Sequence, residues 1–116
     1  DASIKNIEVA KFHAKKNKLK INYQVASPEK LKTKIKFDVI LNMEIVEHVE
    51  NIDFFIKESA KLLKKDGAFI QMHYIRTIQK MYKGIFGNVH ISYVPLNIPP
   101  GYVFRCIKSW LCIPIY

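Results

Sequence analysis

With 116 residues and 13.6 kDa, the chain is one small domain or part of a larger one, which excludes two independent domains. Apolar residues make up 49% and aromatics 12%, spread along the whole length, which supports a packed core and argues against intrinsic disorder. The formal charge of +9 rests on 17 Lys and only 2 Arg; a nucleic-acid surface favours Arg, whose planar fork grips phosphate at two points, so the basicity reads as residue usage and no nucleic-acid partner is expected.

Ile4, Ile7 and Ala14 recur at helical spacing with Lys on the other faces, which predicts an amphipathic helix over roughly residues 3–17. Lys20 to Val25 alternates polar and apolar residues and predicts a short strand, ended by Ser27-Pro28. Pro28, after a Ser27 cap, can open a brief helix that carries Leu31 inward. Phe37 to Leu41 is a short apolar run broken only by Asp38, as in a buried parallel strand, and a polar, acidic turn follows from Asn42 to Asn51.

Ile52, Phe55, Ile56, Ala60 and Leu63 predict a second helix over 52–63, closed at Gly67 by a left-handed cap. Ala68 to Met72 reads as the next strand, Ile78 to Phe86 as helix, and Tyr93 to Gly101, with Pro95, Pro99 and Pro100, as a turn-rich loop. Helix, strand, helix, strand, helix, strand in this order predicts an α/β doubly wound sheet, its consecutive parallel strands bridged by helices. Cys106 and Cys112 lack Cys-x-x-Cys spacing and read as reduced and structural or incidental. No signal peptide opens the chain, which starts at Asp1 inside a patterned segment and reads as a piece of something longer; no stretch approaches the roughly 20 apolar residues of a membrane span.

Charge divides unevenly along the chain. Residues 1–36 carry ten Lys against three acids, a net +7; residues 37–66 carry four Lys against seven acids, −3; residues 67–116 carry five basic residues and no acid. Inside the acidic stretch, Glu44, Glu47 and His48 follow a predicted strand at i, i+3 and i+4, so a helical turn there would project all three from one face. The carboxyl ends of strands are where open α/β sheets bind ligands. Two carboxylates and one imidazole suit a hard divalent ion such as magnesium; alternatively His48 acts as a general base oriented by a neighbouring acid, or the acids merely favour a helix start.

Asn6-Ile7-x-Val9-Ala10-x-x-His13-Ala14, Phe37-Asp38-Val39, Met43-Glu44-x-x-Glu47-His48-Val49 and Leu62-Leu63-Lys64-Lys65-Asp66-Gly67 together resemble the class I S-adenosylmethionine-dependent methyltransferases. More narrowly they are similar to the O-methyltransferases of ubiquinone biosynthesis, from Asp1 to about Gly87. The resemblance implies a partial Rossmann-like α/β sheet, with residues 1–87 a partial methyltransferase domain and 88–116 a divergent, turn-rich tail. The family's glycine-rich cofactor loop and first two strands are expected to precede Asp1, and its last strands to be lacking. A sheet missing a central strand is expected to be poorly stable alone.

It also implies S-adenosylmethionine as cofactor, with Asp1 accepting hydrogen bonds from the ribose hydroxyls and Met43 packing near the adenosyl group. It places a divalent metal, magnesium by its chemistry, on Glu44, Glu47 and His48, where chelating a catechol would lower the pKa of the attacking hydroxyl. The substrate it implies is a lipid-soluble polyprenyl quinol precursor, with a cytoplasmic location, a peripheral contact at the inner membrane and membership of a ubiquinone-biosynthesis complex. The family's Gly-Thr-His after Pro95 is replaced here by Asn97-Ile98-Pro99-Pro100-Gly101. Alternatives are a nonfunctional remnant of that enzyme and a basic module for membrane or nucleic acid.

Overall fold

A computed structural model describes residues 3–109. Two compact units divide the chain between Thr33 and Lys34. The first holds helix α1 (Ile4–Lys16). Ser3 caps its start, the side chain accepting from the Asn6 amide at 3.3 Å. Asn17 closes its end, donating from backbone and side chain to the His13 carbonyl, and Lys18 turns the chain away at φ 55°. Residues 20–25, expected as a strand, form none, and Ile21 and Val25 are exposed. Alternation selects a face, but a strand also needs a neighbour to complete its ladder, and among the described residues none runs beside this segment.

The second unit contains β1 (Phe37–Met43), a 3₁₀ turn (Val46–His48), α2 (Ile52–Leu62), β2 (Leu63–His73), α3 (Gln79–Phe86), β3 (Gly87–Val94) and β4 (Gly101–Lys108). The sheet order is β1-β2-β4-β3. β1 and β2 are parallel, joined through α2, whereas β4 runs antiparallel to both β2 and β3. The sheet is therefore mixed.

Within the stretch expected as a turn-rich tail, residues 87–108 form the β3–β4 hairpin. Val89 and Ile91 on β3 and Phe104 and Cys106 on β4 supply a period-two apolar face, while Pro95, Pro99 and Pro100 fall in the connecting turn, where a missing amide costs no ladder bond. Residues 110–116, including Cys112, lie outside the described residues.

One face of the sheet carries the core. Register places Ile40 beside Phe69, Phe69 beside Cys106 and Cys106 beside Val89, and Phe55, Ile56, Tyr82 and Phe86 of the two helices close over them. Phe86 stacks on Phe69 at 5.4 Å, and Tyr82 meets Phe104 edge-on at 5.2 Å. Burial pushes the Cys106 thiol up to about 12, so it stays protonated and acts as a small core residue. Against the expectation of a strand buried on both sides, Val39 and Leu41 of β1 are exposed on the opposite face.

The α2–β2 junction also differs from the expected glycine cap. The helix passes directly into extended backbone at Leu63 (φ −75°, ψ 144°), and Asp66, at φ 60°, takes the left-handed position. Lys64 donates to both oxygens of Asp38 at 2.8 and 2.9 Å across this bulge and holds that carboxyl below its ordinary range. Gly67 is needed for close approach: a Cβ there would lie 2.9 Å from the Lys64 carbonyl oxygen and 3.1 Å from those of Phe37 and Asp38. Gly67→Ala is expected to cost about 1–3 kcal/mol, read as a lower urea midpoint with an unchanged slope.

Candidate functional site

β1 and β2 end side by side, and Asn42 and Gln71 fix that end from below. Both amides are buried; the Asn42 Nδ2 group donates to Gln71 Oε1, and the Gln71 Nε2 group donates to the Met72 carbonyl. Buried polar groups need partners, and these two satisfy each other while locking the strands in register. Above them, Met43 ends β1 with its side chain about half exposed.

Glu44 then turns the chain at φ 52°, and the 3₁₀ turn follows, closed by the His48 amide donating to the Ile45 carbonyl at 2.9 Å. Buried Val46 pins this turn to the core, and Asn51 caps α2 by accepting from the Phe54 amide at 3.0 Å. Left-handed backbone at Glu44 breaks the helical continuity on which a one-face projection of Glu44, Glu47 and His48 depended.

Each acid instead meets the end of β2. The Tyr74 hydroxyl donates to Glu44 Oε1 at 2.9 Å, and this bond raises the phenol above its ordinary pKa. His73 Nδ1 accepts from the Ile75 amide at 3.0 Å, so the neutral ring carries its proton on Nε2, which lies 3.8 Å from Glu47 Oε1. Beneath them the buried Tyr82 hydroxyl has no hydrogen-bond partner, and burial drives its pKa well upward.

Of the expected site residues, Met43, Glu44, Glu47 and His48 thus occupy one rim, at the carboxyl ends of the parallel strands, with His48 exposed. Asp1 lies outside the described residues. Among the described residues no three His, Cys, Asp or Glu side chains gather to hold a metal ion, so the expected trio is not assembled: Glu44 is engaged by Tyr74, and Glu47 faces His73. His73, Tyr74, Asn42 and Gln71 were not among the expected residues. The signal for them was positional, since Gln71-Met72-His73-Tyr74 ends the strand next to the one ending in Met43.

A family model described as a methyltransferase domain matches residues 1–71. The ubiquinone biosynthesis O-methyltransferase of Pelagibacter ubique (strain HTCC1062) is 65% identical over 102 residues, covering 87% of this chain and 41% of that protein. The protein of the same name from Bartonella bacilliformis is 49% identical over 84 residues, 72% of this chain and 32% of its own length. The chain therefore spans about two fifths or less of these relatives.

Among solved structures, the N-methyltransferase NodS from Bradyrhizobium japonicum WM9 superposes with a TM-score of 0.81 at 14% identity, covering 94% of this chain and 71% of that one. Magnesium protoporphyrin IX methyltransferase from Synechocystis PCC 6803, solved with bound SAM, gives 0.78 at 14% identity, covering 94% and 57%. These likenesses establish the fold: a Rossmann-like α/β methyltransferase sheet, present in part.

Proposed function

This chain belongs to the methyltransferase domain family, and from that premise we propose that it is part of an S-adenosylmethionine-dependent O-methyltransferase of ubiquinone biosynthesis, acting on a catechol-type polyprenyl quinol precursor. The 65% identity to the Pelagibacter ubique protein carries the reading. Residues 1–87 are assigned to the partial methyltransferase domain, with the β3–β4 hairpin paired to β2 beside it.

Fit to the cofactor is judged on Met43 and its surroundings. A soft, half-exposed thioether at the carboxyl end of β1 offers an apolar surface suited to an adenosyl group, with the buried Asn42–Gln71 pair holding the backbone beneath it. We assign Asp1 the ribose hydroxyls. When bound, the cofactor supplies an electrophilic methyl on a good leaving group, so the protein must position the substrate oxygen and remove its proton. His48, exposed on the same rim, is assigned the proton. The magnesium ion that the resemblance implies does not fit the arrangement of Glu44, Glu47 and His48 described above, and no step is routed through it.

The reading includes a cytoplasmic enzyme working at the inner membrane face, where a lipid-soluble substrate resides, and association with other ubiquinone-biosynthesis proteins. The test is methyl transfer by this chain fused behind the amino-terminal part of the Pelagibacter ubique relative. The fusion is expected to methylate a short-tailed polyprenyl catechol. A folded fusion that binds the cofactor yet leaves every catechol untouched would sink the substrate assignment.

A further inference from the structure

The two acids of the rim are satisfied unequally. Glu44 is closed, because the Tyr74 hydroxyl donates to its Oε1 at 2.9 Å. Glu47 is not: its Oε1 lies 3.8 Å from His73 Nε2, beyond hydrogen-bond length. That nitrogen carries the proton of the neutral ring, since Nδ1 accepts from the Ile75 amide at 3.0 Å. Below them Tyr82 is fully buried, and its hydroxyl has no hydrogen-bond partner among the described residues.

Burial above all, then the neighbouring Cys106 thiol and the Glu47 carboxylate, raise the Tyr82 phenol, so it keeps its proton and stands as a donor. The Tyr74 phenol, raised first by its bond to Glu44, also feels Glu47. One carboxylate thus lies within electrostatic reach of His73, Tyr74 and Tyr82. Packing does not account for the Tyr82 oxygen: the ring meets Phe69, Phe86 and Phe104, contacts that a phenylalanine would make equally well. A buried donor without a partner costs about 1–3 kcal/mol, and such a group in a folded protein calls for a reason.

From these observations we propose that Glu47, His73 and Tyr82 form a receptor for one substrate hydroxyl, the catechol oxygen next to the one that is methylated. A hydroxyl offers one donor and two acceptor sites. The receptor offers the complement: one acceptor, the Glu47 carboxylate, and two donors, His73 Nε2–H and the Tyr82 hydroxyl. An ether in that place has no proton for Glu47, a ring hydrogen satisfies none of the three, and an anionic group is repelled by the carboxylate. The receptor therefore selects a catechol over a monophenol and leaves His48, on the same turn, for the reacting oxygen. That the hydroxyl is a substrate's rests on the proposed function; the preference for a hydroxyl stands on the three side chains.

Nuclear magnetic resonance titration of the isotope-labelled 116-residue chain with 4-methylcatechol and with 4-methylphenol tests it, with no cofactor or turnover involved. Its failure leaves methyl transfer by the fusion a separate question, so the two readings fall independently. The catechol is expected to bind at least about tenfold more tightly than the phenol, and to move the Ile75 amide signal, which reports on His73. Tyr82→Phe is expected to remove most of that preference while the urea midpoint stays level or rises, because the variant deletes a buried hydroxyl that lacked a partner. A side chain with only a structural role would do the reverse. Glu47→Gln is expected to lower the preference to a similar extent with an unchanged circular-dichroism spectrum. Equal affinity of the parent chain for the two probes, as for a water site only, absence of catechol binding, or a full preference kept by either variant would each overturn the receptor.

Discussion

Truncating Phe69 to alanine is expected to remove about 3–5 kcal/mol of stability, the largest loss for any single side chain of the sheet. Phe69 is fully buried at the centre of β2, stacked on Phe86 and adjacent to Tyr82, with Ile40 on one side and Cys106 on the other. Its removal leaves a cavity walled by three elements, β1, α3 and β4, that hold one another in place and cannot collapse into it. A domain of this size is held by only about 5–15 kcal/mol in total, so the variant should unfold at markedly lower urea. Leu41→Ala on β1 is the matched control: Leu41 is 63% exposed, and its truncation should change stability by less than about 0.5 kcal/mol. Equal losses at the two positions would mean that the core is not on the helix-covered face.

Replacing His48 by alanine in the active fusion is expected to lower kcat by about 10²–10⁴-fold, the range for loss of a positioned general base, while KM for the cofactor stays within about twofold. His48 is exposed at the end of the 3₁₀ turn, and its backbone amide, which donates to Ile45, is kept in the variant, so the fold should survive. Unchanged kcat would move the proton acceptor elsewhere on the rim, with Glu47, faced by His73, next to be replaced.

The sequence made the helices and the central strands legible because each shows its own period. Ile52, Phe55, Ile56 and Ala60 mark α2, and the run through Phe69 marks β2. Less legible was what depends on pairing. Lys20 to Val25 has the alternation of a strand, yet no described neighbour completes a ladder with it. Val89 to Val94 and Tyr102 to Ile107 are strands because they pair with each other and the second also pairs with β2, whereas the prolines between them signal only a turn.

At the site, Met43, Glu44, Glu47 and His48 were legible as a group on one rim, since chain distance alone keeps them together. Their directions were not, because a single left-handed residue, Glu44, decides them. His73 and Tyr74 lie some thirty residues further on. Only the parallel register of β1 and β2 brings them to the acids. Gly67 shows the same division: a glycine was expected at the α2–β2 junction, but its reason, three carbonyl oxygens within 3.1 Å of a would-be Cβ, belongs to the packed strands.

Calorimetric titration of S-adenosylmethionine into the fusion with the Pelagibacter ubique amino-terminal part, compared with the same fusion carrying Met43→Lys, tests most directly whether this chain supplies the cofactor-binding rim of a methyltransferase. Saturable binding by the parent fusion and its loss by at least tenfold in the variant, both folded, is the result predicted. Equal affinity in the two proteins, or a folded parent fusion that takes up no cofactor, would contradict it.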